Sequence, residues 1–311
     1  MPDTDPQVTT TPSATNPSLL SVPPDEALSV MIVNYQAYDA LTACLESLEP
    51  SLGSIAVVVV DHESDAAAVG KLASRFPWVR LVAVPDNPGF AAGVNRGVAE
   101  TAGRYVLLLN PDCVVHGDVI RPLAAWLESE PRLGACGAVV RERDGTLQAS
   151  ARRFPTVTTG FAGRTSWLTR AWPQNPWSRS GLRRTVPDTP VPVDWVSGAC
   201  MMIRRSAFDA VGGMDDQFFL YWEDADFCLR LRQAGWRTDY NPSASVTHLT
   251  GESSKRARRA SLVAFHSSAY RYYRKHGGRA AAWLAPFAFV ALRVRLLLKL
   301  FQASIQPSHE R

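Results

Sequence analysis

Cysteine is scarce and scattered in this 311-residue chain. Cys44, Cys113, Cys136, Cys200 and Cys228 make an odd number with no CxxC pair. That excludes a disulfide framework and a structural zinc site, and it points to a reducing compartment. An N-terminal basic stretch followed by an apolar one is also missing, so no secretory signal is legible. No uninterrupted apolar run reaches the ~18 residues that mark a membrane-spanning helix. The glycines of Gly89-Phe90-Ala91-Ala92-Gly93-Val94-Asn95-Arg96-Gly97 are not spaced as GxGxxG and follow the third strand candidate, which excludes a dinucleotide fingerprint. There is no internal repeat.

With 46% hydrophobic and 20% charged residues, the chain is neither disordered nor fibrous and can bury a sizeable core. Its net charge of +4 conceals an asymmetry. Residues 251–311 hold 12 Lys+Arg against 2 Asp+Glu, which leaves −6 on residues 1–250. An acidic body with a basic tail suggests that one end addresses an anionic partner.

Residues 1–26, with six Pro, five Thr and three Ser, read as a disordered leader. Order is expected from Leu28. There, LSVMIVNY begins a series of all-apolar strands (Ile55–Val60, Val79–Val84, Tyr105–Leu109) alternating with segments of helical spacing, such as Leu41, Cys44, Leu45 and Leu48. This alternation predicts an α/β domain with a mainly parallel sheet and helices on both faces. Ligands of such sheets bind beyond the carboxyl ends of the strands. Asn34, Asp61, Asn87 and Asp112 stand at or near those ends. Residues 145–187 break the pattern, with seven Arg, three Trp and no acid. A strand over Val193–Ile203 follows, then helices near Ser206–Val211 and from Glu223 to Ala234, and a short strand before His248.

Two acidic clusters have the types that chemistry needs. An unpaired carboxylate at Asp112, in Asn110-Pro111-Asp112, is costly inside a sheet, so it either caps the next helix or holds a cation. Glu223, Asp224 and Asp226 repel one another unless a helix N-terminus, a cation or a basic partner relieves them. The aromatic run Phe218–Trp222 beside them supplies the desolvating wall that tunes a general base. His248 is by itself as well read as a structural histidine, although imidazole with carboxylate oxygens suits Mn²⁺ better than Mg²⁺.

Taken in order, VMIVNYQ, VVVVDHES, DNPGFAAGVNRG, LLLNPD, WVSGACMMIRR, GGMDDQFFLYWEDADFCLRLRQAGW and a later His resemble the inverting glycosyltransferases of family 2, over roughly residues 28–250. Within it the chain most resembles bacterial rhamnosyltransferases, including the kind that acts on a polyprenyl-diphosphate sugar. The resemblance implies a GT-A fold, a nucleoside-diphosphate-sugar donor and a Mg²⁺ or Mn²⁺ cofactor. It implies that Asp61 contacts the nucleotide base, with His62 where the family usually has Asn. It places Asn34, Asn87, Gly89 and Asn95 on the nucleotide side. By the same resemblance, Asp112 would be the last acid of a metal motif whose first Asp is here Asn110, and His248 would stand where some members complete the metal site. Asp224 would be the general base, with Glu223 orienting the acceptor. A sugar-phosphate nucleotidyltransferase would need a Gly-rich loop after the first strand, where Asn34-Tyr35-Gln36-Ala37 stands instead. Another donor sugar, or a catalytically silent sugar-nucleotide-binding subunit, is the alternative.

The tail over 251–311 reads as a basic helical extension. Lys255, Arg256, Arg258, Arg259, Arg271, Arg274, Lys275 and Arg279 interleave with Tyr270, Tyr272 and Tyr273. No nucleic-acid motif accompanies the charge. The segment from Ala280 to Gln302 has a clean apolar run of only 13 residues before Arg293, which suits a helix lying in a membrane interface or one packed on the domain. The expectation is a domain over 27–250, peripheral to the inner face of the cell membrane and anchored through its tail to anionic lipid. Its acceptor would be lipid-linked or a polysaccharide.

Overall fold

Valine- and leucine-rich runs buried on both faces favour strands covered by helices, and the computed structural model has that arrangement. It describes residues 21–155, 185–249 and 258–305. The leader to residue 20, Trp167, Trp172 and Trp177 with most of the Arg-rich loop, and Lys255 and Arg256 lie outside the described residues.

The first strands are β1 (Leu28–Tyr35), β2 (Ala56–His62), β3 (Val79–Val84) and β4 (Tyr105–Leu109). Between them run α1 (Tyr38–Leu48), α2 (Ala66–Arg75) and α3 (Phe90–Ala99). These four strands pair in parallel, in the order β3-β2-β1-β4. Then come β5 (Cys113–Val115), α4 (Ile120–Ser129), β6 (Leu133–Glu142), β7 (Ala151–Arg152), β8 (Val191–Val193), β9 (Trp195–Val196) and β10 (Cys200–Arg204). The chain continues through α5 (Arg205–Ala210), α6 (Glu223–Gln233), β11 (Arg237–His248), α7 (Arg258–His276) and α8 (Gly278–Ile305).

Beyond β4 the sheet is mixed rather than parallel. β10 is antiparallel to both β4 and β6, β11 runs parallel to β6, and β5 and β8 add antiparallel to β11. The strand expected over Val193–Ile203 is divided, because β9 leaves the main sheet to pair with β7. The strand before His248 is not short: β11 has 12 residues. It tolerates Pro242 because the register shifts between Asn241 and Ser245, where Asn241 Oδ1 accepts from the N–H and hydroxyl of Ser243.

Alternating side chains of the sheet feed two cores. Leu28, Val30 and Ile32 pack with Leu41, Leu45, Leu72, Ile120 and Leu123 on the face of α1, α2 and α4. Met31 and Val33 pack with Val94, Phe208, Phe227 and Leu231 on the face of α3, α5 and α6. Tyr272, from α7, belongs to this second core. The described part of the tail is therefore not uniform: α7 packs on the domain, while α8 leaves Trp283 86% and Phe287 73% exposed. Its segment Ala281–Ser304 is long and apolar enough to cross a membrane, longer than the clean run in the sequence, because isolated Arg and Lys do not break the helix.

Candidate active site

The carboxyl ends of β1, β2 and β4 place three of the expected residues. Asn34 and Asp61 are register partners, and Asn34 Nδ2 donates to Asp61 Oδ1 at 2.6 Å. The other oxygen, Oδ2, accepts from the Tyr38 hydroxyl at 2.8 Å, and the same hydroxyl receives the backbone N–H of Asp65. Tyr38 was not foreseen, since an aromatic residue opening a helix carries no signal of this role. Asp61 and His62 are both fully buried. Burial pushes the His62 imidazole down, against a hydrogen bond the ring makes to Asn87 that would favour its protonated form.

Asn87 and Gly89 form the turn before α3. Asn87 Oδ1 accepts from the Gly89 N–H at 3.1 Å. Gly89 has φ +99°, and a Cβ there would lie 2.6 Å from the Phe219 carbonyl oxygen, so glycine lets this turn touch the segment leading to the acidic cluster. The Phe90 N–H donates to the same carbonyl. Asn95 acts differently from expectation. Its amide is spent on the backbone of Met214, donating to the oxygen and accepting from the N–H, both at 2.8 Å. It ties α3 to the turn before the acidic cluster.

Asp112 is not a helix cap. The next element is β5, and Asp118 serves the first turn of α4 by accepting from Ile120 and Arg121 N–H. The pairing of β5 with β11 sets Cys113 opposite His248, and this brings His248 Nε2 to 2.9 Å from Asp112 Oδ1. On its other side His248 Nδ1 lies 3.2 Å from Gln148 Oε1, a partner the sequence did not signal. Burial lowers the imidazole's pKa, but the Asp112 carboxylate outweighs it and the net shift is upward. Asp112, Cys113 and His248 offer ligand atoms within 4.8 Å of one another. The Cys113 thiol points to the Ala199 carbonyl and is pushed far up by burial and the nearby Asp112, so it stays protonated. The remaining oxygen and imidazole donors fit a divalent cation such as Mn²⁺.

At the start of α6, Glu223 is buried and its Oε2 has no hydrogen-bond partner among the described residues. Burial and the adjacent Asp224 raise its pKa far above the carboxylate range. Burial also raises Asp224, but less. The N–H groups of Ala225 and Gly198 (2.8 and 3.4 Å) and the charge of Arg152 favour its ionised form. Arg152, from the basic loop, lies with its guanidinium 5.0 Å from the Trp195 ring. Both carboxyls are thus held above the usual carboxylate range by burial, while the hydrogen bonds and the Arg152 charge that favour an anion fall on Asp224. The third, Asp226, is fully buried. Burial opposes its charge, yet hydrogen bonds from His276, Lys275 and Arg230 bring its pKa down to about 2.

The two clusters are neighbours. Ala199, one residue after the Gly198 that bonds Asp224, accepts the Asn110 N–H at 2.9 Å. The Tyr221 phenol is raised by burial and feels the charges of both Glu223 and Asp112. Among the candidate-site residues, Asn34 Oδ1, His62 Nε2, Trp222 Nε1 and Glu223 Oε2 are buried polar atoms without partners among the described residues. Such atoms are costly unless a ligand satisfies them.

Residues 23–262 match the model of glycosyltransferase-like family 2. The chain belongs to this family. It is a glycosyltransferase, similar over 92% of its length, at 33% identity, to the N-acetylglucosaminyl-diphospho-decaprenol L-rhamnosyltransferase of Mycobacterium tuberculosis, of which 96% is covered. It is 24% identical to the rhamnosyltransferase WbbL of Escherichia coli, covering 79% of this chain and 89% of that one. The GT-A fold is shared with the mannosyltransferase PcManGT of Pyrobaculum calidifontis, solved with GDP-Man and Mn²⁺. There the TM-score is 0.54 at 16% identity, over 93% of this chain and 79% of the other.

Proposed function

We propose that this glycosyltransferase moves L-rhamnose from dTDP-rhamnose, with inversion, to a sugar carried on a polyprenyl diphosphate, at the cytoplasmic face of the membrane. The observation that carries this reading is the adjacency of the two acidic clusters: Asp224 accepts from Gly198, and the next residue, Ala199, accepts the Asn110 N–H two residues before Asp112, which pairs with His248. The relatives' names supply the sugar and the lipid-linked acceptor.

The donor side is held by the Asn34–Asp61–Tyr38 network and the Asn87–Gly89 turn, with Asn34 Oδ1 left to meet the nucleotide. Asp112 and His248 would hold Mg²⁺ or Mn²⁺, which when bound neutralises diphosphate charge. On the acceptor side, Asp224 takes the proton of the attacking hydroxyl. A C–O bond forms at the anomeric carbon as the bond to the diphosphate oxygen breaks, and dTDP departs with the electron pair. An upward-shifted carboxylate is a better proton acceptor than an ordinary one. Glu223, protonated, donates a hydrogen bond that orients the acceptor. Arg152 would meet the acceptor's diphosphate.

Full-length protein assayed with a panel of nucleotide sugars tests this. Asp224→Asn should lower kcat by about 10²–10⁴ with donor affinity little changed. Asp112→Ala should abolish transfer and metal-dependent binding of dTDP while the fold survives. Transfer from a donor other than dTDP-rhamnose overturns the sugar assignment. A loss confined to donor affinity in Asp224→Asn removes Asp224 from the acceptor side.

A further inference from the structure

Tyr221 and Trp222, which lead directly into Glu223 and Asp224, both have left-handed backbones, with φ 67° and 72°. That region is sterically unfavourable for an L-residue with a bulky side chain. Two such residues in succession persist only where the surroundings over-determine them. Here α7 supplies those surroundings, from outside the segments that carry the sugar-nucleotide motifs.

The Phe265 ring lies 5.8 Å from Tyr221, edge-on, and 5.7 Å from Trp222. Tyr272 lies 5.3 Å from Trp222. Between them the Ser268 hydroxyl donates to the Leu220 carbonyl at 2.9 Å. Ion pairs fix both ends of the segment. Arg271 and Lys275 reach Asp215 Oδ2 at 3.2 and 2.7 Å, and Lys275 and His276 reach Asp226 Oδ1 at 2.7 Å each. Phe265, Ser268, Tyr272 and Lys275 fall on one stripe of α7, with spacings of three and four. That stripe meets an irregular, strained segment rather than a regular element. A helix that only covered a core would have no reason to bond the backbone at Leu220.

We propose that α7 is a positioning element of the active site: Phe265, Ser268 and Tyr272 lock residues 220–222 in the conformation that aims Glu223 and Asp224. These residues act through the backbone and touch no substrate. The proposal rests on Asp224 being the base, and it is tested by two readouts so that the two ideas can fail separately.

Full-length Phe265→Ala, Ser268→Ala and Tyr272→Leu would be compared with the wild type and with the conservative Phe265→Tyr. Each gets a dTDP titration to count competent sites, steady-state kinetics, and hydrogen–deuterium exchange of peptides spanning 215–226. The expected result is a fall in kcat per site of about 10–10²-fold in Phe265→Ala, since small misplacement of a reacting group costs that much. Donor affinity should stay within about twofold, and Phe265→Tyr should restore the rate. Amides of 219–224 should exchange faster while sheet peptides do not change. If Phe265→Ala fails to fold, Ser268→Ala, which loses one hydrogen bond, still reports on exchange at 220–222. Unchanged exchange in every folded variant overturns the proposal, as does donor affinity falling in step with kcat. Should Asp224→Asn prove fully active, the assignment of the base fails, and the exchange measurement still decides the lock.

Discussion

Helices α7 and α8 are consecutive, both lack acidic residues and both carry several Arg or Lys, yet they are used oppositely. Only Gly277 separates them, and α8 opens on the left-handed Gly278 (φ 66°). The cations of α7 meet buried or half-buried carboxylates, Asp215 and Asp226, and its aromatic rings meet Tyr221 and Trp222. The large apolar side chains of α8 face outward, with Trp283, Phe287 and Phe301 among the most exposed of the described residues. What the difference teaches is that basic charge in a tail does not by itself name a partner. The complement does: a fixed carboxylate on the domain claims α7, and among the described residues the outer face of α8 stays exposed.

The comparison breaks most sharply on truncation. A chain ending near Ser254 loses both helices, and on the reading of 251–311 as one membrane-directed extension it should still fold and bind nucleotide sugar. The structure reverses that expectation, because α7 covers Trp222 and neutralises Asp226. The cut removes Lys275 and His276 from Asp226 and leaves Arg230 alone beside it, and breaking into a buried charge cluster costs up to about 3–5 kcal/mol. At roughly 2–4 °C per kcal/mol for a domain of this size, Tm should fall by about 10 °C or more, with transfer lost. A chain ending at Gly277 keeps α7, and should keep the wild-type Tm and transfer to a soluble acceptor. Differential scanning fluorimetry of the two truncations decides it, and equal melting of both would place α7 with α8 as an appendage.

Much of this arrangement is legible in the sequence, for identifiable reasons. β1 to β4 are uninterrupted apolar runs, so burial on both faces is written into each, and Asn34, Asp61 and Asp112 stand out as polar residues where the runs stop. β6 hides in glycine and alanine, whose small side chains make no periodic signal, and β11 hides because Asp239, Asn241 and Pro242 look like loop. Nothing local joins Asp112 to His248, 136 residues away; only the β5–β11 pairing does, and the sequence could reach it only through family resemblance. The left-handed pair at Tyr221 and Trp222 is equally illegible, because neither residue is one that turn chemistry favours there.

A second, smaller effect sharpens the comparison through pH. Asp226 has its pKa lowered in the fold to about 2, from 3.8. Its charged form is therefore favoured by folding, and the stability this confers is present above about pH 4 and lost as pH falls toward 2. The shift corresponds to about 2 kcal/mol. Urea midpoints measured between pH 4 and 2 should fall in the wild type and equally in the chain ending at Gly277, since the partners Lys275 and His276 lie on α7. Asp226→Asn should flatten the profile over that window. A profile that flattens instead on removal of α8 would move the acid-sensitive contact out of α7.

The smallest effect on the fold, and the one specific to α8, concerns its bare face. Trp283→Ser and Phe287→Ser remove exposed side chains with little to lose in the folded state, so Tm should move by less than the equivalent of about 0.5 kcal/mol. If that face enters a lipid surface, each residue forfeits about 1.5–3 kcal/mol of apolar burial, and binding to vesicles should weaken about tenfold or more per residue. That loss should be the same at low and high salt, because burying apolar surface is not a charge effect. Arg279→Gln should behave the opposite way. One cation near an anionic surface is worth about 1 kcal/mol, so its removal should weaken binding about fivefold at low salt and hardly at all at high salt. Co-sedimentation with phosphatidylglycerol-containing and purely zwitterionic vesicles separates the two contributions. Equal sedimentation of the wild type and the chain ending at Gly277 would show that α8 does not hold the enzyme on the membrane. A Tm that drops with Trp283→Ser would show that its ring has a protein partner after all.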